Sequence, residues 1–391
     1  MKLQLFSAAD VAAALPMREC VEVTKRAFAD FTSGRARVPQ RTVMAVGGEN
    51  VLLVKPAYLP GGEGGKDSGQ GGDGVLLVKP PCLPVGDGGK ESRQGVGRDG
   101  PRAEGQIGGG TGEGDAGEAR AGQGGTAEGG ALGAKLVSFF PGNAALGLPV
   151  TPGLVVLLSP DTGEPLALVD GTFLTAWRTG AASGAATDLL APPGAAVAAV
   201  FGAGAQARTQ VMAIDTVRAL EEIRIYSRTP SSLESFVDGL QAATRATLRA
   251  ADSPRAAVVD ADVICTATTS KTPVFAGADL KPGAHVNGVG SFTPAMQEVD
   301  VETVRRARIF VDSLASAAAE PGDLLNAIAA GVTAPAQWTE LGAVVAGADP
   351  GRGDRELTFF KSVGLAVQDV AAGAAVLERA ALLGLGRTID F

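Results

Sequence analysis

Gly202-Ala203-Gly204-Ala205-Gln206 stands directly behind an apolar run, Ala195-Ala-Val-Ala-Ala-Val-Phe201, and ahead of a segment with Val211, Ile214, Val217 and Leu220 on one helical face. A buried strand, a glycine turn and a helix start are the three parts of a dinucleotide-binding βα unit. In such a unit Gly202 permits the tight turn. Gly204 lets the backbone approach a pyrophosphate resting on the helix N-terminus, and Ala207 takes the third glycine slot, where the task is close packing. A lone Gly-x-Gly is weak evidence in a chain with 55 glycines. The sequence that follows strengthens it. Glu222-Ile-Arg-Ile-Tyr226, Ala261-Asp-Val-Ile-Cys-Thr266, Ala284-His-Val-Asn-Gly-Val-Gly290 and Arg308-Ile-Phe-Val-Asp312 read as further strands alternating with helical segments. That alternation predicts a parallel sheet covered on both faces.

The end of the second strand of such a unit reads the adenine ribose. An acidic residue there would hold a 2′-hydroxyl, whereas this chain has Ser227-Arg228-Thr229. Two hydroxyls and a guanidinium suit a 2′-phosphate, which Arg can hold in bidentate fashion. NADP(H) is therefore the expected cofactor, with NAD(H) possible. The alternative is that Arg228 is a solvated turn residue.

The elements that must carry this unit fill a chain of 391 residues, long enough for two cores. A net charge of −8 and a pI near 5.0 leave no basic footprint, so nucleic acid is not an expected partner. Cys20, Cys82 and Cys265 have no metal-ligand spacing, and the odd count predicts a reducing compartment with neither disulfides nor zinc. The single histidine, His285, excludes a histidine metal cluster and reads as a strand residue at a sheet edge. No apolar run reaches membrane-span length, and the N-terminus, with Lys2 and Asp10, lacks a secretory core. A cytoplasmic protein with no membrane partner is expected.

Ser7-Ala-Ala-Asp10 reads as a capping box, and Cys20, Val23, Ala27, Phe28 and Phe31 recur at helical spacing until Ser33-Gly34. Arg41 to Val46 and Val51 to Pro60 are strand-like. Composition then shifts: Gly61 to Gly130 holds 26 glycines and no aromatic residue. Within it Val75-Leu-Leu-Val-Lys-Pro80 repeats Val51 to Pro56 letter for letter. Residues 61–130 are expected to form a flexible insertion, because such a composition buries too little apolar surface to offset its ordering entropy. The second copy could pair weakly with a sheet edge. Strands resume at Gly133 to Pro141 and in the pair within Leu154 to Asp170. An Ala-rich helix over Thr172 to Leu190 ends at Pro192-Pro193.

Taken together, five blocks resemble the ornithine cyclodeaminase/mu-crystallin family. They are Gly133-Ala-Lys135-Leu-Val, Leu174-Thr-Ala-Trp-Arg178-Thr-Gly-Ala, Phe201-Gly-Ala-Gly-Ala-Gln-Ala207, Pro282-Gly-Ala-His-Val-Asn-Gly-Val-Gly290 and Phe359-Phe-Lys361-Ser362-Val-Gly. The resemblance implies an α/β protein with a Rossmann domain inserted into an α+β substrate-binding and dimerisation domain. The divisions would be 1–60 and 131–185 for the substrate domain, 186–315 for the Rossmann domain, and 316–391 for a segment returning to the substrate domain. It implies a homodimer acting on a small imino or amino acid with NAD(P). The family's substrate-carboxylate arginine matches Arg41, which follows Val38-Pro39; its active-site lysine matches Lys135, and a second arginine matches Arg178. Thr151 is assigned to the substrate side. Thr266, Ala267, Thr268, Val289, Lys361 and Ser362 are assigned to the cofactor together with the glycine turn and Ser227 to Thr229. No metal is implied.

This chain departs from the family at one point. Cyclodeaminase and alanine dehydrogenase members carry an aspartate just after the Val-Gly strand end, and here Phe292 falls in its place. A phenyl ring exchanges no proton. The resemblance therefore leans to the ketimine reductase branch, where a formed C=N accepts hydride, with pyrroline-2-carboxylate or piperideine-2-carboxylate as expected substrates. The runner-up is an ornithine cyclodeaminase or amino-acid dehydrogenase that recruits another acid, such as Glu298 or Asp312. A non-catalytic small-molecule carrier that keeps NADPH as a structural ligand is the third reading.

Overall fold

The computed structural model describes residues 2–48, 50–61 and 130–391. The expected insertion at 61–130 and the second VLLVKP copy lie outside them, apart from the end residues 61 and 130.

The chain opens with β1 (Lys2–Phe6), α1 (Ala8–Ala14) and α2 (Met17–Thr32). The predicted capping box forms: the Ser7 N–H donates to Asp10 Oδ2 at 2.9 Å, and the Asp10 N–H donates to Ser7 Oγ at 3.3 Å. Five strands follow as an antiparallel run: β2 (Thr42–Gly47), β3 (Asn50–Leu59), β4 (Ala131–Phe139), β5 (Gly153–Leu158) and β6 (Pro165–Asp170). Then comes α3 (Gly171–Leu190), capped by the Asp170 carboxylate at the Phe173 N–H.

The second half alternates. It runs β7 (Val197–Phe201), α4 (Ala205–Val217), β8 (Glu222–Tyr226), α5 (Pro230–Gln241), β9 (Thr247–Ala250), α6 (Pro254–Val258), β10 (Val263–Thr266), β11 (His285–Gly288), α7 (Val301–Arg306), β12 (Arg308–Val311), α8 (Leu314–Ala317) and α9 (Gly322–Ala329). It closes with β13 (Thr339–Glu340), α10 (Leu341–Val345), β14 (Thr358–Lys361), α11 (Ala366–Leu383) and β15 (Arg387–Asp390).

These strands form two sheets. The first is ordered β15-β1-β6-β5-β4-β3-β2 and the second β13-β12-β14-β11-β10-β7-β8-β9, with every pairing in the second parallel. The expected α/β class with a Rossmann-type domain is what the chain forms. Two expectations change. His285 is not at an edge: β11 lies between β10 and β14, and the imidazole is fully buried between Thr358 Oγ1 and Asn287 Oδ1. Residue 315 is not a boundary of the second sheet, because β14 returns to insert between β11 and β12 and β13 extends the far edge. The return to the first sheet is made by α11, which packs on β3, β4 and β5.

Strand period explains the first sheet's two faces. On β5, Val155 and Leu157 point under the helices while Leu154 points away. Joining the two sheets is α3, buried along nearly its whole length. Its small residues permit this: a Cβ on Gly180 would stand 2.5 Å from the Thr209 carbonyl oxygen of α4, so only glycine allows the crossing.

The hairpin of β3 and β4 brings the two ends of the glycine-rich segment together. Leu59 pairs with Ala131, and a Cβ built on Gly130 would lie 2.8 Å from the Gly61 nitrogen. Replacing residues 62–129 by a short turn is expected to leave the fold intact, since loop-closure entropy varies slowly with length. Circular dichroism and a melting temperature within about 5 °C of the parent's would bear this out, because a shift of that size corresponds to only about 1–2 kcal/mol. An insoluble product would refute it.

Candidate active site

The face of the first sheet under α11 carries two lysines directly opposite each other, Lys55 on β3 and Lys135 on β4. Like charges in a cross-strand pair repel, and both side chains are buried, so a counter-charge is required. Asp369 supplies it from the first turn of α11. Its carboxylate lies 2.7 Å from Lys135 Nζ and 2.9 Å from Arg178 Nε, and none of the three is more than marginally exposed. Lys135 Nζ also donates to Thr175 Oγ1 at 3.3 Å, and Arg178 Nη1 to Gln368 Oε1 at 3.3 Å. Strand β4 and helices α3 and α11 therefore converge on one carboxylate. Lys55 Nζ donates to the Gly364 carbonyl at 3.4 Å. Arg41, just ahead of β2, is half-buried and ion-paired with Glu320.

The environment sets the protonation states. Burial pushes the Lys135 ammonium well below the usual lysine value; Asp369 opposes this, and Arg178 and Lys55 add to it. Burial likewise brings Lys55 down to about 8, opposed by Asp369 and Glu320 and reinforced by Arg41 and Arg178. Burial would raise the Asp369 carboxyl, but Arg178, Lys135 and Lys55 together hold it below the usual carboxylate range. Asp369 is thus an ionised hub among cations.

This cluster touches the carboxyl edge of the second sheet. Gly364 lies in the segment leaving β14, and Asp312, beyond β12, fixes that segment. The Asp312 carboxylate accepts Ser362 Oγ at 2.9 Å, the Val363 N–H at 2.8 Å and the Gly364 N–H at 2.7 Å. In a parallel sheet the glycine turn after β7 is on the same edge. It also marks where strand order reverses, with β8 on one side of β7 and β10 on the other. Open α/β sheets bind ligands at that point.

The turn fits a dinucleotide. Gly202 has φ 118°, and a Cβ there would stand 2.6 Å from the Ala267 carbonyl oxygen, so the position admits only glycine. At Gly204 a Cβ would meet nothing within 4 Å, leaving the approach open. No side chain caps α4 at Gly204, and Gln206 Oε1 is buried without a partner. The backbone of Ala203 and Ala205 completes this anion-ready helix start. Ser227, Arg228 and Thr229 follow β8 beside it, with the Gly202 N–H donating to the Tyr226 carbonyl at 2.9 Å. Arg228 is exposed there.

The other assigned residues divide. Ala267 and Val289 border the crevice at the ends of β10 and β11. The hydroxyls of Thr266 and Thr268 turn to Glu298, at 2.9 and 2.8 Å. Lys361 is wholly buried on Asp323 at 2.9 Å, and Ser362 is held by Asp312. These four position the strand ends with their side chains already engaged. Thr151 lies just ahead of β5.

Both acids considered as substitutes for the missing aspartate hold loop backbone, while Asp312 Oδ1 is buried without a hydrogen-bond partner. Glu298 is fully buried and accepts the N–H groups of Thr268, Gly290 and Ser291, and Asp312 is engaged as above. Both are structural staples of loops. Phe292 packs edge-to-face on Phe139 of β4, with centroids 5.5 Å apart. Lys55, Asp369 and Glu320 were not legible as site residues. The available signals were a lysine on the inward face of an otherwise apolar strand and an acid in an apolar helix, and charged residues so placed are the informative exceptions.

Fold and site together define a two-lobed dinucleotide-binding oxidoreductase with a buried cationic, carboxylate-centred cluster. A profile of the ornithine cyclodeaminase/mu-crystallin family matches residues 123–382, and the chain belongs to that family. It is 41% identical to a Δ1-pyrroline-2-carboxylate reductase of Bacillus cereus over 264 residues, 67% of this chain and 81% of that one. The structure of Thermococcus litoralis Δ1-pyrroline-2-carboxylate reductase in complex with NADH and L-proline matches with a TM-score of 0.79 and 30% identity. That match spans 99% of this chain and 100% of the other. An archaeal alanine dehydrogenase dimer with bound NAD matches with a TM-score of 0.76 and 27% identity over the whole of both chains.

Replacing Asp369 by Asn removes the shared counter-charge and leaves Lys135 and Arg178 buried without it. The expected loss of stability is about 3–5 kcal/mol, read from denaturant unfolding. Because the carboxyl is held below its unfolded value, its contribution is full at neutral pH and fades as the pH falls through the acid range. The variant should lack that acid-range slope.

Proposed function

We propose that this protein reduces cyclic ketimine carboxylates, pyrroline-2-carboxylate or piperideine-2-carboxylate, to the corresponding cyclic amino acids. The observation carrying this reading is the buried Lys135–Asp369–Arg178 cluster at the carboxyl edge of the dinucleotide-binding sheet. A nicotinamide held there would supply the hydride for the imine carbon. Gly202, Ala203, Gly204 and Ala205 would hold its pyrophosphate and Ser227, Arg228 and Thr229 its adenine ribose. Arg178 and Arg41 clamp the substrate carboxylate, which restricts the ring to one orientation. Arg41 exchanges Glu320 for that carboxylate. Lys135 donates the proton to the ring nitrogen. Its depressed ammonium pKa makes the transfer easier and leaves a neutral amine that burial tolerates. Asp369 keeps Lys135 aimed, and Phe292 closes the place where a proton acceptor would serve amine oxidation.

We assign NADP(H) as the preferred cofactor on the strength of exposed Arg228 at the end of β8. A homodimer belongs to the same proposal. Val43 and Met44 on β2, Leu136 on β4 and Leu154 on β5 expose apolar surface on the first sheet, and a second copy would bury it. Among the described residues no helix is long and apolar enough to cross a membrane.

Pyrroline-2-carboxylate with NADPH should be turned over, and ornithine with NAD should release little or no ammonia. Lys135→Ala is expected to lower the reductase kcat by roughly 100-fold or more, as loss of a general acid does. In the parent the rate should fall on the alkaline side as the Lys135 ammonium is lost. Ammonia release from ornithine at rates rivalling imine reduction would overturn the proposal.

Arg228 should make NADPH bind more tightly than NADH by ~1.5–3 kcal/mol, the range for charge-assisted hydrogen bonds. Fluorescence titration of both cofactors measures this, and Arg228→Asp should narrow or invert the difference. Equal affinities in the parent protein would defeat the cofactor assignment.

A further inference from the structure

Two lysines on neighbouring strands share one buried face. The register of β3 and β4 sets Lys55 directly opposite Lys135, and side chains so paired stand roughly 5 Å apart at their Cβ atoms. Water screens neither ammonium well, since Lys55 is 8% exposed and Lys135 1%. Lys135 has the Asp369 carboxylate at 2.7 Å and the Thr175 hydroxyl at 3.3 Å. Lys55 donates to a neutral acceptor, the Gly364 carbonyl, at 3.4 Å. That carbonyl belongs to a fixed peptide, because the Leu365 N–H on its other side donates to Gln368 Oε1 at 2.8 Å. Lys55 is thus held facing the cluster. A methionine of similar length would fill the same space without the cost of burying an ammonium.

The charge of Lys55 bears on Lys135. Asp369 favours the Lys135 ammonium, whereas Arg178 and Lys55 repel it. Lys55 itself faces Asp369 and Glu320 as attractive groups and Arg41 and Arg178 as repulsive ones. Behind Arg178 stand the buried Asp312 carboxyl and the Cys20 thiol, which burial pushes up to about 12 and so keeps neutral.

We propose that Lys55 is a positioning residue acting through Lys135: its like charge across the strand pair makes the Lys135 proton easier to give to the imine nitrogen. This rests on the reductase reading above and adds the group that tunes its proton donor. In the step, the imine carbon gains the hydride, the nitrogen gains the Lys135 proton, and Lys135 is left a neutral amine. Repulsion between the two ammoniums is therefore full before the transfer and gone after it, so it favours the transfer itself.

The pH profile of kcat for pyrroline-2-carboxylate with NADPH tests this. In Lys55→Met the alkaline limb should move up by about one pH unit, the size of a buried neighbour's repulsion at an effective dielectric of about 20. The rate at neutral pH should fall, because the donor is then a weaker acid. Lys55→Arg keeps its charge at every pH and should leave the limb at or below the parent's. Lys55→Gln serves if the Met variant does not fold. A packing role alone would lower the rate and leave the limb in place. Lys135 can also be titrated without turnover, by NMR of protein carrying isotope-labelled lysine, its resonance identified by loss in Lys135→Ala. That resonance should titrate at higher pH in Lys55→Met than in the parent. An unmoved or lowered Lys135 titration would overturn the inference whether or not the imine is reduced. Turnover with an unmoved limb would sink the Lys55 inference alone, whereas a raised titration in a protein that reduces no imine would sink only the reductase reading.

Discussion

The Asp369 carboxylate, shared by Lys135 and Arg178 away from water, is the interaction on which the arrangement of this molecule depends. A buried ion pair is not a strong source of net stability, because desolvation consumes much of the Coulombic gain. Its effect is on specificity. Three charged groups from β4, α3 and α11 must arrive together, since any one missing leaves an uncompensated charge in the interior. The last helix is thereby tied to the first sheet across most of the chain's length, and the second sheet is carried between them.

Both lobes use the same means to bring charged groups to a common edge. In the first, strand period places Lys55 and Lys135 on the face that α11 covers. In the second, all strands are parallel, so every loop after a strand opens on one side. Glu298 and Asp312 hold those loops by accepting backbone N–H groups, and Asp323 holds Lys361. The positions flanking the crevice are therefore rigid before any ligand arrives, which favours orientation-dependent chemistry. The glycine-rich segment leaves and re-enters between paired residues at one end of a hairpin, and so interrupts the chain without separating β3 from β4.

The site's electrostatics favour proton delivery over proton removal. Cations outnumber carboxylates, both lysines are depressed below their usual values by burial, and the one carboxylate at the centre is fully engaged. Phe292 against Phe139 makes the opposite wall apolar. Such an environment suits an anionic substrate whose nitrogen gains a proton from a buried ammonium.

Much of this was legible in the amino-acid sequence because it depends on neighbours in the chain. The Val/Ala run before Gly202-Ala203-Gly204, the Ser7–Asp10 capping box, the helix over Thr172 to Leu190 and the strands within Leu154 to Asp170 are local patterns, and the structure forms each of them. Lys135, Arg178 and Arg41 stand out through family motifs, and the first two do meet in the core. Tertiary structure alone decided the rest. That β14 enters the sheet between β11 and β12 follows from packing, not from anything between residues 312 and 358. That His285 lies inside the sheet is likewise a matter of packing, since β11 pairs with β10 on one side and β14 on the other. Above all, the sequence marks Asp369 and Lys55 only as charged residues in apolar elements, without saying what they face. One is a polar residue in a helix and the other a lysine in a strand, and only folding turns their side chains inward onto the same point. Local propensity fixes which element a residue joins, whereas the charge it must face is set by residues hundreds of positions away.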